Sequence, residues 1–126
     1  MANGAVQLKH LNHVTTMVKD TKRSLEFYCG FLGLKQIPKQ VPNPEITWLQ
    51  LPSGVMVHLI ETPEAPAHPR NLHNAYEVED FEAAKKAVEE RGLPIESSGV
   101  RYDGQQYLFI RDPDDNRVEL CTRGGA

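Results

Sequence analysis

The sequence predicts an α+β domain made of two copies of one β-α-β-β-β module, and three observations carry that expectation. The segment His13-Val-Thr-Thr-Met-Val-Lys-Asp20 is repeated in outline by His73-Asn-Ala-Tyr-Glu-Val-Glu-Asp80, each alternating as a half-buried strand does before reaching an Asp. Helical spacing follows each Asp and stops at a glycine, in Leu32-Gly33-Leu34 and in Arg91-Gly92-Leu93. Three short strand-like runs then complete each copy.

In the first copy, alternation puts Leu11, His13, Thr15 and Met17 on one face of the opening strand and Val14 and Val18 on the other. Asp20 is a natural N-cap, because its carboxylate can accept the unpaired N–H groups of a first helical turn. From Asp20 to Leu32, Leu25, Tyr28 and Leu32 recur near helical spacing, with Phe27 and Phe31 on an adjoining face. Strands are expected near Lys35 to Gln40, Ile46 to Leu51 and Val55 to Glu61, the last entered through the turn Leu51-Pro-Ser-Gly54. A linker with three prolines, Thr62 to Arg70, follows.

The second copy repeats the order. Asp80 to Arg91 carries Phe81, Ala84, Ala87 and Val88 on one side and charges on the other. Strands are expected near Ile95 to Ser98, Gln105 to Arg111 and Arg117 to Thr122, with Asp112-Pro-Asp-Asp-Asn116 turning into the last. Neither copy alone readily buries both its helix and its sheet. Residues 1–126 are therefore expected to form one domain, with modules at about 8–61 and 71–122.

Bulk properties narrow the function. A net charge of -3 without a basic run gives no reason to expect nucleic acid as a partner. Apolar stretches such as Val55 to Ile60 are too short to span a bilayer, and the first residues lack a signal-peptide pattern. Cys29 and Cys121 form no disulfide framework and read as reduced thiols, which points to the cytoplasm.

The repeat aligns Val57-His58-Leu59 with Val118-Glu119-Leu120. Four metal-competent side chains thus fall at two equivalent pairs of positions, His13 with His73 and His58 with Glu119. A pseudo-twofold relation between the modules would bring all four to one centre. Three imidazoles and a carboxylate suit Zn, Ni, Co, Mn or Fe better than Mg or Ca, which prefer oxygen donors. His10 and His68 have no repeat partners and are expected at the surface.

These residues resemble the vicinal oxygen chelate superfamily, which includes glyoxalase I, methylmalonyl-CoA epimerase, extradiol dioxygenases and the bleomycin- and fosfomycin-resistance proteins. The resemblance runs from about Leu8 to Thr122. It rests on Leu11-Asn-His13-Val, on Ser24-Leu-Glu-Phe-Tyr28 with Leu32-Gly33-Leu34, and on Arg111-Asp-Pro-Asp-Asp-Asn-Arg-Val-Glu119-Leu. The last looks like the family's DPDGN-x-x-E ending, with Asp115 where Gly is common. It implies eight strands curled into a cup around a metal, and often a homodimer. By the same resemblance, dioxygenases and fosfomycin-resistance proteins use the positions of His13, His73 and Glu119. Glyoxalase I and the epimerase add a fourth ligand at position 58, usually Glu or Gln.

The ligand count therefore favours a glyoxalase-like lyase or isomerase acting on a small 2-oxo or 2-hydroxy carbonyl compound or its thiol adduct, with Glu119 as the base. The alternatives are an extradiol-type dioxygenase, a bleomycin-resistance-like binding protein and a fosfomycin-type thiol transferase. Arg70, Arg101, Arg111 and Arg123 do not form a recognisable clamp for glutathione and are expected at surfaces or turns, whereas Trp48, Tyr102, Gln106, Tyr107 and Phe109 could line the cup.

Overall fold

A computed structural model describes residues 5–64, 69 and 71–124, and the chain divides into two compact units, Met1–Glu64 and Ala65–Ala126. In the first, β1 (His13–Val18) leads into α1 (Thr21–Leu25) and a π-helical segment (Glu26–Phe31). Then come β2 (Lys35–Ile37), β3 (Ile46–Gln50) and β4 (Met56–Glu61), in a sheet of order β1-β4-β3-β2. The second unit has β5 (His73–Glu77), α2 (Phe81–Glu90), β6 (Ser97–Val100), β7 (Gln106–Arg111) and β8 (Arg117–Cys121), with the order β5-β8-β7-β6. In each sheet the first strand is parallel to the last and the remaining neighbours are antiparallel. Both units are βαβββ modules, as the repeat predicts.

Both helices begin and end on the expected residues. The Asp20 carboxylate accepts from the N–H groups of Lys22 and Arg23, and that of Asp80 from Ala83. Gly33 and Gly92 take left-handed φ values of 83° and 77°. At Gly92 the chain closes with Leu93 N–H donating to Val88 and Gly92 N–H to Glu89, the paired bonds of a Schellman stop. At Gly33 the corresponding bonds reach one residue further back, from Leu34 to Tyr28 and from Gly33 to Cys29. The sequence explains the difference: Gly33 lies thirteen positions beyond its Asp, Gly92 only twelve. The extra residue is absorbed as a wider π turn, so both chains leave their helix through the same cap.

Each sheet has one apolar, buried face. Val18, Leu49, Val57 and Leu59 are buried in the first unit, with Ser24, Phe27 and Tyr28 of its helix. Tyr76, Leu108, Ile110, Val118 and Leu120 do the same in the second, with Phe81 and Val88 of α2. Ala87, expected on the packed side of α2, is exposed. The strand expected at Ile95 to Ser98 lies two residues later, at Ser97–Val100. Its register is set by pairing with β7 and by the turn where Arg101 N–H donates to the Gln105 carbonyl, which overrides the weak strand preference of Ser-Ser-Gly. His10 is exposed, as expected; His68 and Arg70 lie outside the described residues.

Candidate metal centre

The residues singled out by the repeat lie on the other face of each sheet. Alternation along β1 turns Thr16 and Val18 inward and leaves His13, Thr15 and Met17 exposed. Along β4, Val57 and Leu59 face the core, so His58 projects from the same face as His13. The second unit repeats this arrangement in register. Thr15 pairs with His58 and Trp48 crosses it from β3; Ala75 pairs with Glu119 and Phe109 crosses it from β7. His13 and His73 each stand two residues before those pairs. The structure therefore places the candidates as two pairs, each within one unit, at equivalent positions. Among the described residues, no group of three or more His, Cys, Asp or Glu side chains is placed to hold a metal ion.

In the first pair, β4 lies between β1 and β3, and the His58 ring lies between two others. Trp48 stacks on it at 4.5 Å and 4°, His13 at 4.0 Å and 15°. Burial, with the nearby His13 adding to it, holds the His58 imidazole below its ordinary pKa and keeps its lone pair available. Its Nε2 is buried without a hydrogen-bond partner. An orphaned buried nitrogen costs about 1–3 kcal/mol, and Trp48 Nε1, on the ring stacked beside it, is orphaned as well. His13 gives its Nδ1 hydrogen to Asn12 Oδ1 at 2.7 Å, which leaves Nε2 as its lone-pair nitrogen. His13 is the exposed member of this pair.

The second pair is in direct contact. His73 Nε2 lies 3.0 Å from Glu119 Oε1, and His73 Nδ1 donates to the Asn71 carbonyl at 3.0 Å. Glu119 is 5% exposed and its other oxygen accepts from Arg101 Nη1 at 3.3 Å. Arg101, expected at a surface or turn, is thus a residue of this site. The only sequence signal was its place beside the Tyr102–Gly104 turn, whose register with Glu119 single-strand reasoning does not supply. Of the aromatics expected near the site, Trp48, Tyr107 and Phe109 share the sheet faces of His58 and Glu119, while Tyr102 is fully exposed in its turn. Neither cysteine is activated: burial pushes both thiols up, and Glu119 and Glu77 push Cys121 further.

The donor set passes the chemical test for a divalent transition ion, with a nitrogen-rich first pair and a mixed second pair. Two βαβββ modules in one chain, with metal-competent side chains at equivalent strand positions, define a class of protein. The chain belongs to the Glyoxalase/Bleomycin resistance protein/Dioxygenase superfamily, whose model matches residues 10–120. It is 30% identical to Glyoxylase I 4 of Arabidopsis thaliana, covering 96% of this chain and 75% of that protein. It is 28% identical to Glutathione transferase FosA of Serratia marcescens, over 90% of this chain and 80% of that one. The fold also matches FosX, a fosfomycin resistance protein of Listeria monocytogenes solved with Mn(II) and 1S,2S-dihydroxypropylphosphonic acid. That match has a TM-score of 0.77 at 18% identity and covers 94% of this chain and 95% of FosX.

Proposed function

We propose that this chain is a metal-dependent lyase or isomerase of the glyoxalase type, acting on a small 2-oxo or 2-hydroxy carbonyl compound or its thiol adduct. One divalent ion (Zn, Ni, Co, Mn or Fe) is held by His13, His58, His73 and Glu119, and the chain works as a cytoplasmic homodimer. The observation that carries the reading is the orphaned Nε2 of His58, at the register position that Glu119 occupies in the other unit. A fourth donor at position 58 separates this chemistry from readings that need only three. The Arabidopsis relative bears a glyoxylase I name.

When bound, such an ion polarises a carbonyl and acidifies the neighbouring C–H. The chain's own side chains do the rest. His13 and His73 offer Nε2 because Asn12 and Asn71 take their Nδ1 hydrogens. Glu119 takes the proton from the carbon beside the carbonyl and returns it to the adjacent position. Arg101 aims its Oε2. Trp48 screens His58 from water on one ring face.

Metal analysis of protein purified without chelators tests the proposal. We expect a bound transition ion, and solvent deuterium exchange at the carbon next to a substrate carbonyl. His58→Ala should weaken the ion by at least the roughly tenfold to hundredfold already typical of losing a group that only orients a ligand. Reconstituted protein that holds no ion would sink the reading. The likeness to the Serratia protein favours a second reading, thiol transfer to fosfomycin, in which His13, His73 and Glu119 suffice. It requires metal-dependent consumption of free thiol in the presence of the antibiotic.

A further inference from the structure

Arg101 is held in a way that contact with Glu119 alone does not explain. Its guanidinium lies over the Tyr107 ring at 3.9 Å. Its Nη1 donates both to Gln105 Oε1 at 3.0 Å and to Glu119 Oε2 at 3.3 Å. Gln105 is itself fixed, because its Nε2 donates to the Thr122 carbonyl at 3.1 Å. The Tyr107 ring is seated over Gly99, where a Cβ would come within 3.0 Å of its hydroxyl oxygen. The plane and one corner of the guanidinium are therefore set before any ligand arrives. The other edge, Nε with Nη2, has no acceptor among the described residues, and the side chain is 38% exposed. Two parallel N–H donors on an open edge match a carboxylate in bidentate fashion, and the flat stacking restricts the approach to one plane.

A purely structural arginine next to a buried carboxylate would turn this edge toward Glu119. Here a single nitrogen serves Glu119, and the two-donor edge is kept for something else. We propose that Arg101 is the substrate-recognition residue of this site and that the substrate carries a carboxylate next to its oxygenated carbon. This rests on the reading that Glu119 belongs to the reactive centre. It narrows that reading from carbonyl compounds in general to 2-oxo and 2-hydroxy acids. Because Nη1 stays on Glu119 while Nε and Nη2 take the carboxylate, one guanidinium sets the distance between the base and the bound acid.

The test compares two probes of nearly the same shape, lactate and lactamide, by NMR titration into metal-loaded and metal-free protein. Wild type should prefer lactate by about tenfold, the worth of hydrogen bonds to a charged group at a partly exposed site. Arg101→Met should abolish the preference in metal-free protein, where no ion contributes to lactate binding. Arg101→Lys keeps a charge near Glu119 but not the paired donors, and should lose most of it. Melting curves confirm that the variants are folded, and metal content is measured separately. Equal affinity of wild type for the two probes overturns the inference, as does a preference that survives in Arg101→Met or in full in Arg101→Lys. If wild type binds no metal, the functional reading fails, and the preference in metal-free protein still decides the role of Arg101.

Discussion

At the scale of single residues, Asp115 and Glu96 show what the second unit spends on its turns. Asp115 is the only non-glycine among the described residues with positive φ, at 65°. The turn is held by Asp112, whose Oδ1 accepts the N–H groups of Asp114 and Asn116 at 2.8 Å each. An L-residue in this region costs roughly 1–2 kcal/mol, partly offset for Asp by its short polar side chain. Asp115→Gly should therefore raise stability by up to about 1 kcal/mol, read as a higher urea midpoint with unchanged slope. An unchanged or lower midpoint would show that the Asp side chain repays the strain. Glu96 ties the entry of β6 to two strands, accepting from Arg111 Nε at 2.9 Å and Arg117 Nε at 3.4 Å. The bond from Arg111 holds its carboxyl below the ordinary carboxylate range; burial opposes this, and the charges of Arg111 and Arg117 reinforce it. A depressed carboxyl stabilises the fold above its unfolded pKa, and that contribution disappears as pH falls through the native value. Glu96→Gln should thus cost less than about 1 kcal/mol at neutral pH, since the pair is partly exposed, and progressively less as the pH falls below the ordinary carboxylate range. Denaturant melts at neutral pH and below that range decide it.

How much of the site was legible in the sequence differs residue by residue. His13, His73, His58 and Glu119 could be paired because a repeat compares a residue with its own counterpart, and strand alternation then assigns the face. The stacking of Trp48 on His58 and the contact of Arg101 with Glu119 depend on which strands become neighbours. Strand order is set by packing of the whole sheet and leaves no local mark.

At the scale of elements, the two helices test whether caps or lengths define the module. Caps do. Asp20 and Asp80 begin the helices, Gly33 and Gly92 end them, and the additional residue between Asp20 and Gly33 is taken up by π geometry rather than by moving a cap. Periodicity alone could not show this, because the extra residue appears only in the closing bonds, which reach one position further back. The buried side is Ser24, Phe27 and Tyr28, at i, i+3 and i+4, while Leu25 and Leu32, which the sequence spacing also favoured, are half-buried. A Cβ at Gly92 would meet nothing within 4 Å, so substitution there is charged only for backbone conformation. Gly92→Ala should cost about 1–2 kcal/mol, and Gly33→Ala, equally open, about the same. A near-neutral Gly33→Ala would mean that the wider turn relaxes out of the left-handed conformation, readable from the urea midpoint of each variant.

At the scale of the whole molecule, the question is whether two pairs of ligands serve one ion or two. Each unit builds its pair on its own sheet, so an independent ion on each pair is the rival arrangement. Two donors are a poor complement for any of the candidate metals, which fill four or more positions. One ion taking both pairs is the proposed arrangement. It predicts one ion per chain in wild type and near-complete loss in both His13→Ala and Glu119→Ala, each of which disables only one unit. Independent sites would instead start from two ions per chain and keep roughly half in either variant. Mixing the two variants after unfolding and refolding extends the measurement to assembly. If a homodimer shares each site between chains, a mixed dimer regenerates one intact set of four ligands, and about a quarter of the sites recover metal at random pairing. If each chain closes its own site, mixing restores none.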